Sequence, residues 1–214
     1  MPTLYGVYRS RATRNFWLAG ELGISLDHVP VIQAYRVEPG QTGLPMTTRD
    51  PAFLAISPAG AIPVLQDGDL VLSESLAINL YLARKHGGPL APADLAEDAQ
   101  MLQWAMYGLS AIEPHALAIM YAMAEGRGSD PAVADAALTL HRPLAVLDAH
   151  LTRTGQMVGD RFTVADINMG EIIRYAQAHP TLVAGFPAVD AWIKTCQARP
   201  AFKVMMDRRS AEPA

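Results

Sequence analysis

The sequence predicts a mixed α/β unit followed by an all-helical one. Three observations carry that prediction. Up to residue 86, short apolar runs alternate with helical patterns, the signature of a sheet flanked by helices. A Gly87-Gly88-Pro89 run followed by Pro92 then punctuates the chain, and beyond it no strand-like alternation returns. With 214 residues, 50% of them hydrophobic, the chain can bury one large core or two small ones.

The first unit reads βαβαββα. A strand is expected over 4–7, a helix over 12–22 stopped by Gly23, and a second strand over 28–34. Residues 36–49, with Pro39, Gly40, Gly43 and Pro45, read as a long loop, and 51–56 as a short helix. Two apolar runs, 62–65 and 70–72, flank the Asp67-Gly68 turn and form a hairpin that feeds a helix over 74–86. This gives a first domain over 1–86, a linker over 87–93 and a helical domain over 94–214. The helices of that domain are expected at 94–125, 131–153, 164–178, 188–197 and 201–208. Pro114 should kink the first, because it removes a backbone donor and clashes with the preceding turn.

Composition narrows the function classes. Formal net charge is -4, and the basic residues are scattered except between Arg9 and Arg14, so a nucleic-acid partner gains no electrostatic support. No apolar run is long enough to span a membrane, and the N-terminus reads as a strand rather than a signal peptide, which makes cytosolic residence the expectation. A single cysteine, Cys196, excludes an intramolecular disulfide and a Cys-x-x-Cys redox pair, and its apolar neighbours predict burial. His28, His86, His115, His141, His150 and His179 show no metal-ligand spacing, so no metal is expected. There is likewise no Gly-rich nucleotide loop and no Gly-x-Ser-x-Gly elbow.

The hairpin carries the clearest chemical signal. Pro63 opens a strand without a donor, leaving Ile62 to present its N–H and C=O to something other than a neighbouring strand, such as a peptide-like ligand. Ser73 is placed to cap the following helix, with Glu74 and Ser75 in its first turn, where orphan N–H groups and the positive dipole end favour a carboxylate. Such a site offers extended backbone, a carboxylate for an ammonium, and a hydroxyl with N–H groups for a carboxylate. The plainer readings are a dipole partner for Glu74 and an ordinary helix start for Ser75. Further along, Thr163-Val164-Ala165-Asp166 has capping-box spacing, with Phe162 and Ile167 at staple positions.

These segments resemble a known family. Ser57-Pro58-Ala59-Gly60-Ala61-Ile62-Pro63-Val64-Leu65, with Glu74-Ser75-Leu76-Ala77-Ile78, resembles the glutathione-binding half of cytosolic glutathione transferases, bacterial ones in particular. The capping box is similar to that of the family's helical domain. Leu4-Tyr5-Gly6, followed by Arg9-Ser10-Arg11 and Arg14, resembles the first strand and catalytic turn of the serine-type members. The three matches span most of the chain in the right order.

The resemblance implies a thioredoxin-like first domain, an all-helical second domain, a homodimer, and glutathione as co-substrate for attack on a small hydrophobic electrophile. It makes Ser10 the catalytic donor to the thiolate, with Tyr8 and Tyr5 as rivals; its plainer reading is a helix cap. Arg11 or Arg14 would help stabilise the anion or else form surface ion pairs. Ile62, Pro63, Glu74 and Ser75 would bind glutathione, with Pro63 cis and Arg49 meeting the glycine carboxylate. Tyr107 and Ser110 would line the electrophile pocket, within a stripe of Met101, Trp104, Met106, Ala111 and His115 that otherwise reads as core or dimer contact. Two other activities stay open: a glutathione-dependent isomerase of the maleylacetoacetate type and a glutathione-dependent disulfide reductase. The first usually carries a Ser-Ser-Cys turn, from which Arg9-Ser10-Arg11-Ala12 departs. A third alternative is a non-catalytic glutathione-binding or regulatory protein of the same fold.

Overall fold

The computed structural model describes residues 1–38 and 40–212; Pro39 of the expected loop and the last two residues of the expected helical domain lie outside them. The chain forms two compact units, one of Met1–Lys85 with the segment from Pro200 onward and one of His86–Arg199.

In the first unit the elements are β1 (Thr3–Tyr5), α1 (Thr13–Leu22), β2 (Asp27–Val29), β3 (Val31–Ile32), β4 (Met46–Thr47), α2 (Pro51–Leu54), β5 (Val64–Asp67), β6 (Leu70–Ser73) and α3 (Ser75–His86). A four-stranded sheet has the order β2-β1-β5-β6, with β1 parallel to β2 and the other pairs antiparallel. Successive residues Val64 and Leu65 point to opposite faces, and both are fully buried, so β5 is a central strand covered on both sides. Val31, Phe53 and Val64 form the centre of one small core, with Tyr5, Val29, Met46, Ile56 and Ile62 packed around it.

Two expectations here are corrected by proline and by pairing. The predicted strand over 28–34 is broken into β2 and β3, because Pro30 lies between them and cannot donate to a ladder. The predicted loop over 36–49 contains β4, which pairs in parallel with β3, and a 3-10 turn at Ala34–Arg36 precedes it.

The second unit contains α4 (Leu95–Tyr107), α5 (Glu113–Ala124), α6 (Pro131–Thr154), α7 (Val164–Ala176) and α8 (Pro187–Gln197). The expected helix over 94–125 is resolved into two. Pro114 has no N–H to return to the preceding turn, and the chain widens into one π-helical turn, Gly108–Ile112, before α5 begins. Pro143 sits inside α6, which nevertheless runs through it. Every residue of α7 except Arg174 is buried, which makes it the core helix of this unit. Of its two buried acids, Glu171 accepts two hydrogen bonds from Arg174, at 2.7 and 2.9 Å, so its charge is not left alone in the core. Cys196 is buried, as its neighbours predict.

The last helix, α9 (Pro200–Ala211), belongs with the first unit rather than with the helical domain drawn over 94–214. The reason is its contact with α1. Trp17 and Phe202 meet edge to face with ring centroids 4.9 Å apart. Gly20 lets the helices close: a Cβ there would stand 3.1 Å from that of Ala201.

Candidate functional site

Strand register assembles the predicted binding residues. Tyr5 pairs with Val64 and Val64 with Ser73. One residue further along each strand toward the same sheet end come Gly6, Pro63 and Glu74, which therefore stand in one row across the end of the sheet. Gly6 has φ 152°, and a Cβ on it would meet that of Ala12 at 3.1 Å and Ile62 and Pro63 at 3.8 Å. Only glycine lets the end of β1 pass this closely between the proline segment and the start of α1. The Ile62–Pro63 peptide bond is cis. Among the described residues, no backbone hydrogen bond engages the Ile62 main chain.

Glu74 is not in the first turn of α3. It precedes the helix with φ 70°, the one non-glycine residue in the left-handed region among those described, and its carbonyl accepts from the Ile78 N–H at 2.9 Å. It therefore takes the cap position assigned from sequence to Ser73. A left-handed backbone costs a residue with a Cβ about 1 kcal/mol or more, and the cost falls on an exposed carboxylate beside a helix N-terminus.

Ser75 is buried, and its Oγ accepts from Arg14 Nη1 at 3.0 Å. A guanidinium only donates, so the Ser75 proton remains available to an acceptor such as a ligand carboxylate. Arg14 is only 1% exposed, which corrects the surface ion-pair reading. Around this contact, Asn15 Nδ2 donates to the Ser75 carbonyl at 2.9 Å and to Asn79 Oδ1 at 2.7 Å, and Asn79 Nδ2 donates to the Arg14 carbonyl at 3.1 Å. This buried amide network ties α1 to the binding end of α3. No local pattern marks it, because its members lie about sixty residues apart.

Between β1 and α1, the Ser10 hydroxyl donates to the Val7 carbonyl at 2.6 Å and accepts from the Ala12 N–H at 3.1 Å. It closes the turn ahead of α1 but does not cap the helix: the cap position falls to Ala12, which has no side chain able to cap, so the plain N-cap reading of Ser10 is corrected. The rival tyrosines point elsewhere. Tyr5 donates to Gln66 Oε1 at 3.1 Å and its ring packs on the Phe53 core. Tyr8 stacks on Phe16 at 3.9 Å between ring centroids, and its hydroxyl accepts from Arg208 Nη1 at 3.2 Å. Arg11 is exposed, and so is Arg49, which follows β4 outside the Gly6-Pro63-Glu74 row.

The same turn is gripped by α9 and the residue after it, a contact that sequence reading missed. Glu212 accepts from the N–H of Tyr8 and of Arg9, both at 2.8 Å, and Arg209 Nη1 donates to the Tyr8 carbonyl at 2.7 Å.

In the helical unit, Tyr107 and Ser110 do not converge. Tyr107 donates to the Pro143 carbonyl at 3.4 Å, and burial pushes its phenol above its ordinary range. Ser110 is exposed and donates to the Met106 carbonyl at 2.8 Å, within its own helical turn. Met101 and Trp104 are buried, whereas Met106 is exposed, so the expected stripe is divided between core and surface. A cavity of about 600 Å³ in this unit is lined by Trp104, His150, Arg153 and Met157, among others, and includes neither Tyr107 nor Ser110. The predicted capping box is present: Thr163 N–H donates to Asp166 Oδ2 at 2.8 Å, and the Ala165 N–H to Thr163 Oγ1 at 3.3 Å.

Comparison with known proteins agrees with this geometry. The glutathione S-transferase N-terminal domain family matches residues 4–90, and the C-terminal domain family matches 100–200. Glutathione S-transferase 3 of Zea mays is 38% identical over 166 residues, covering 72% of this chain and 74% of that protein. Among solved structures, glutathione S-transferase III in its apo form is 35% identical with a TM-score of 0.79, covering 100% and 99% of the two chains. The theta class enzyme of Xanthomonas axonopodis pv. citri, with glutathione bound, is 28% identical with a TM-score of 0.79 and 95% coverage of both. With both domain families matched end to end over a thioredoxin-like unit and a helical one, the chain belongs to the glutathione S-transferase family.

Proposed function

We propose that this protein binds glutathione along the Gly6-Pro63-Glu74 row and activates it as a thiolate for attack on a hydrophobic electrophile. The observation that carries the reading is the strand register that brings cis-Pro63, left-handed Glu74 and the turn before α1 to one end of the sheet. In this reading the Ile62 main chain pairs with the cysteinyl residue, Glu74 takes the α-ammonium, and Ser75 with the α3 N-terminus takes the α-carboxylate. Arg49, on the segment after β4, meets the glycine carboxylate. Ser10 exchanges its Val7 partner for the ligand sulfur, lowering the thiol pKa so that the nucleophilic form prevails near neutrality. Arg11 adds positive charge beside it. The protein works as a cytoplasmic homodimer of the serine-type branch.

Calorimetric titration with glutathione, with bound-thiolate absorbance followed across pH, tests this. Binding with a thiol pKa below that of free glutathione is expected, and no binding would sink the reading. Ser10→Ala should lower kcat/KM by about a hundredfold or more, in the range of a lost catalytic hydrogen bond. Tyr8→Phe should change it by less than about threefold, since that hydroxyl faces Arg208. The reverse pattern would transfer the catalytic role to Tyr8.

A further inference from the structure

We infer that Glu212 is a positioning residue for thiol activation, clamping the turn that carries Ser10 from the far end of the chain. This rests on the proposed role of Ser10. The clamp is specific in its geometry. Two consecutive main-chain donors, Tyr8 N–H and Arg9 N–H, each reach a different carboxylate oxygen of Glu212 at 2.8 Å. Arg9 Nη1 returns to the Glu212 carbonyl at 3.2 Å, so the contact is reciprocal. Arg209 takes the Tyr8 carbonyl at 2.7 Å, and Arg36 Nη1 takes the Arg9 carbonyl at 3.2 Å. Every main-chain polar group of residues 8 and 9 is thus held by a side chain distant in sequence.

These residues need outside partners. They follow the last β1 residue by three and four positions and precede α1, so neither a strand ladder nor a helix satisfies their donors. A carboxylate is suited to two adjacent N–H groups because it accepts at both oxygens and its charge strengthens each bond. Ser10 is the next residue. Its hydroxyl is already engaged within the turn by Val7 and Ala12, so the direction it can offer a bound sulfur depends on where residues 8 and 9 are fixed. Misplacing a catalytic donor by a fraction of an ångström weakens stabilisation of the reacting charge far more than it weakens substrate binding.

The test compares wild type with Glu212→Gln, Glu212→Ala and Glu212→Asp, with Lys203→Ala on the exposed side of α9 as control. Amide hydrogen exchange of Tyr8 and Arg9 reads the clamp itself. It should accelerate at least roughly tenfold in Glu212→Ala and partly in Glu212→Gln, whose amide accepts at only one atom. The pH profile of kcat/KM with bound-thiolate absorbance reads positioning. In Glu212→Ala the thiol pKa should move back toward that of free glutathione and kcat should fall roughly tenfold, while glutathione affinity stays within about twofold. Glu212→Asp should recover part of both. Unchanged exchange at residues 8 and 9 would overturn the clamp. Faster exchange with an unmoved pH profile would overturn the positioning role and leave a structural staple. Arg209→Met, which removes the donor to the Tyr8 carbonyl, should also move the thiol pKa back toward that of free glutathione, and an unmoved pH profile there would count against positioning through residue 8. A wild-type protein that binds glutathione without lowering its thiol pKa would instead remove the Ser10 reading on which the inference rests.

Discussion

At the scale of single residues, the binding end of α3 combines one strained residue and one buried one. Glu74 holds a left-handed backbone in solvent, whereas Ser75 is enclosed and receives a charged hydrogen bond from Arg14. Arg14 therefore matters through Ser75. With Arg14→Met the Ser75 oxygen loses its charged donor, and the positive charge beside the start of α3 disappears. A hydrogen bond to a charged group contributes about 1.5–3 kcal/mol, so glutathione affinity should fall at least roughly tenfold. Calorimetric titration measures this, and unchanged affinity would show that the α3 N-terminus suffices by itself. From sequence, Ser75 and Glu74 were visible because both follow a local hairpin. For Arg14 the sequence left an anion-stabilising role and a surface ion pair both open, and burial removes the second; nothing within a few residues of it signals a partner sixty positions away.

Among elements, the segment following α3 is fixed by one arginine. Arg161 donates to the carbonyls of Pro89 and Ala91, both at 2.9 Å, and forms paired bonds with Glu97 of α4 at 2.9 and 2.7 Å. These bonds from Arg161, together with the Ala93 N–H, hold the Glu97 carboxyl down from its ordinary 4.5 to about 2. The folded state thus prefers ionised Glu97. Its stabilisation is complete above about pH 4.5 and is lost as pH falls toward about 2, where both folded and unfolded states bind the proton. Glu97→Gln should cost about 1–3 kcal/mol at neutral pH, and the gap from wild type should close on acidification. Denaturant melts from about pH 6 to pH 2 follow it; a constant gap would assign the contribution to packing instead. Elements themselves were legible wherever their signals are local: the hairpin turn, the Thr163–Asp166 capping box, the Gly87-Gly88-Pro89 stop. Legibility failed where a proline had to be weighed against its surroundings. Pro30 breaks a strand, and at Pro114 the expected kink is a full break, with a π-helical turn separating two helices, whereas Pro143 is carried inside α6 as the reading over 131–153 has it.

At the scale of the whole molecule, the chain's order along the sequence is not its order in space. The sequence places a helix near α9 as it does near α8, yet the apolar face of α9 is far weaker than that of α8, and a helical pattern never says which unit receives the helix. The α9 helix returns to α1 because Gly20 removes the side chain that would hold Ala201 away, and because Trp17 and Phe202 bury their rings against each other. The unit that carries the candidate site is thus built from both ends of the chain, and its stability depends on residues placed two hundred positions from β1. Phe202→Ala should remove about 3–5 kcal/mol from that unit, the usual cost of truncating a buried phenylalanine. Hydrogen exchange should show the loss in α1 and in the turn at residues 8–10, with α5 and α7 of the other unit retaining their protection. If protection is lost first in α7 instead, α9 supports the helical unit, and the helical domain drawn from sequence over 94–214 is the correct one.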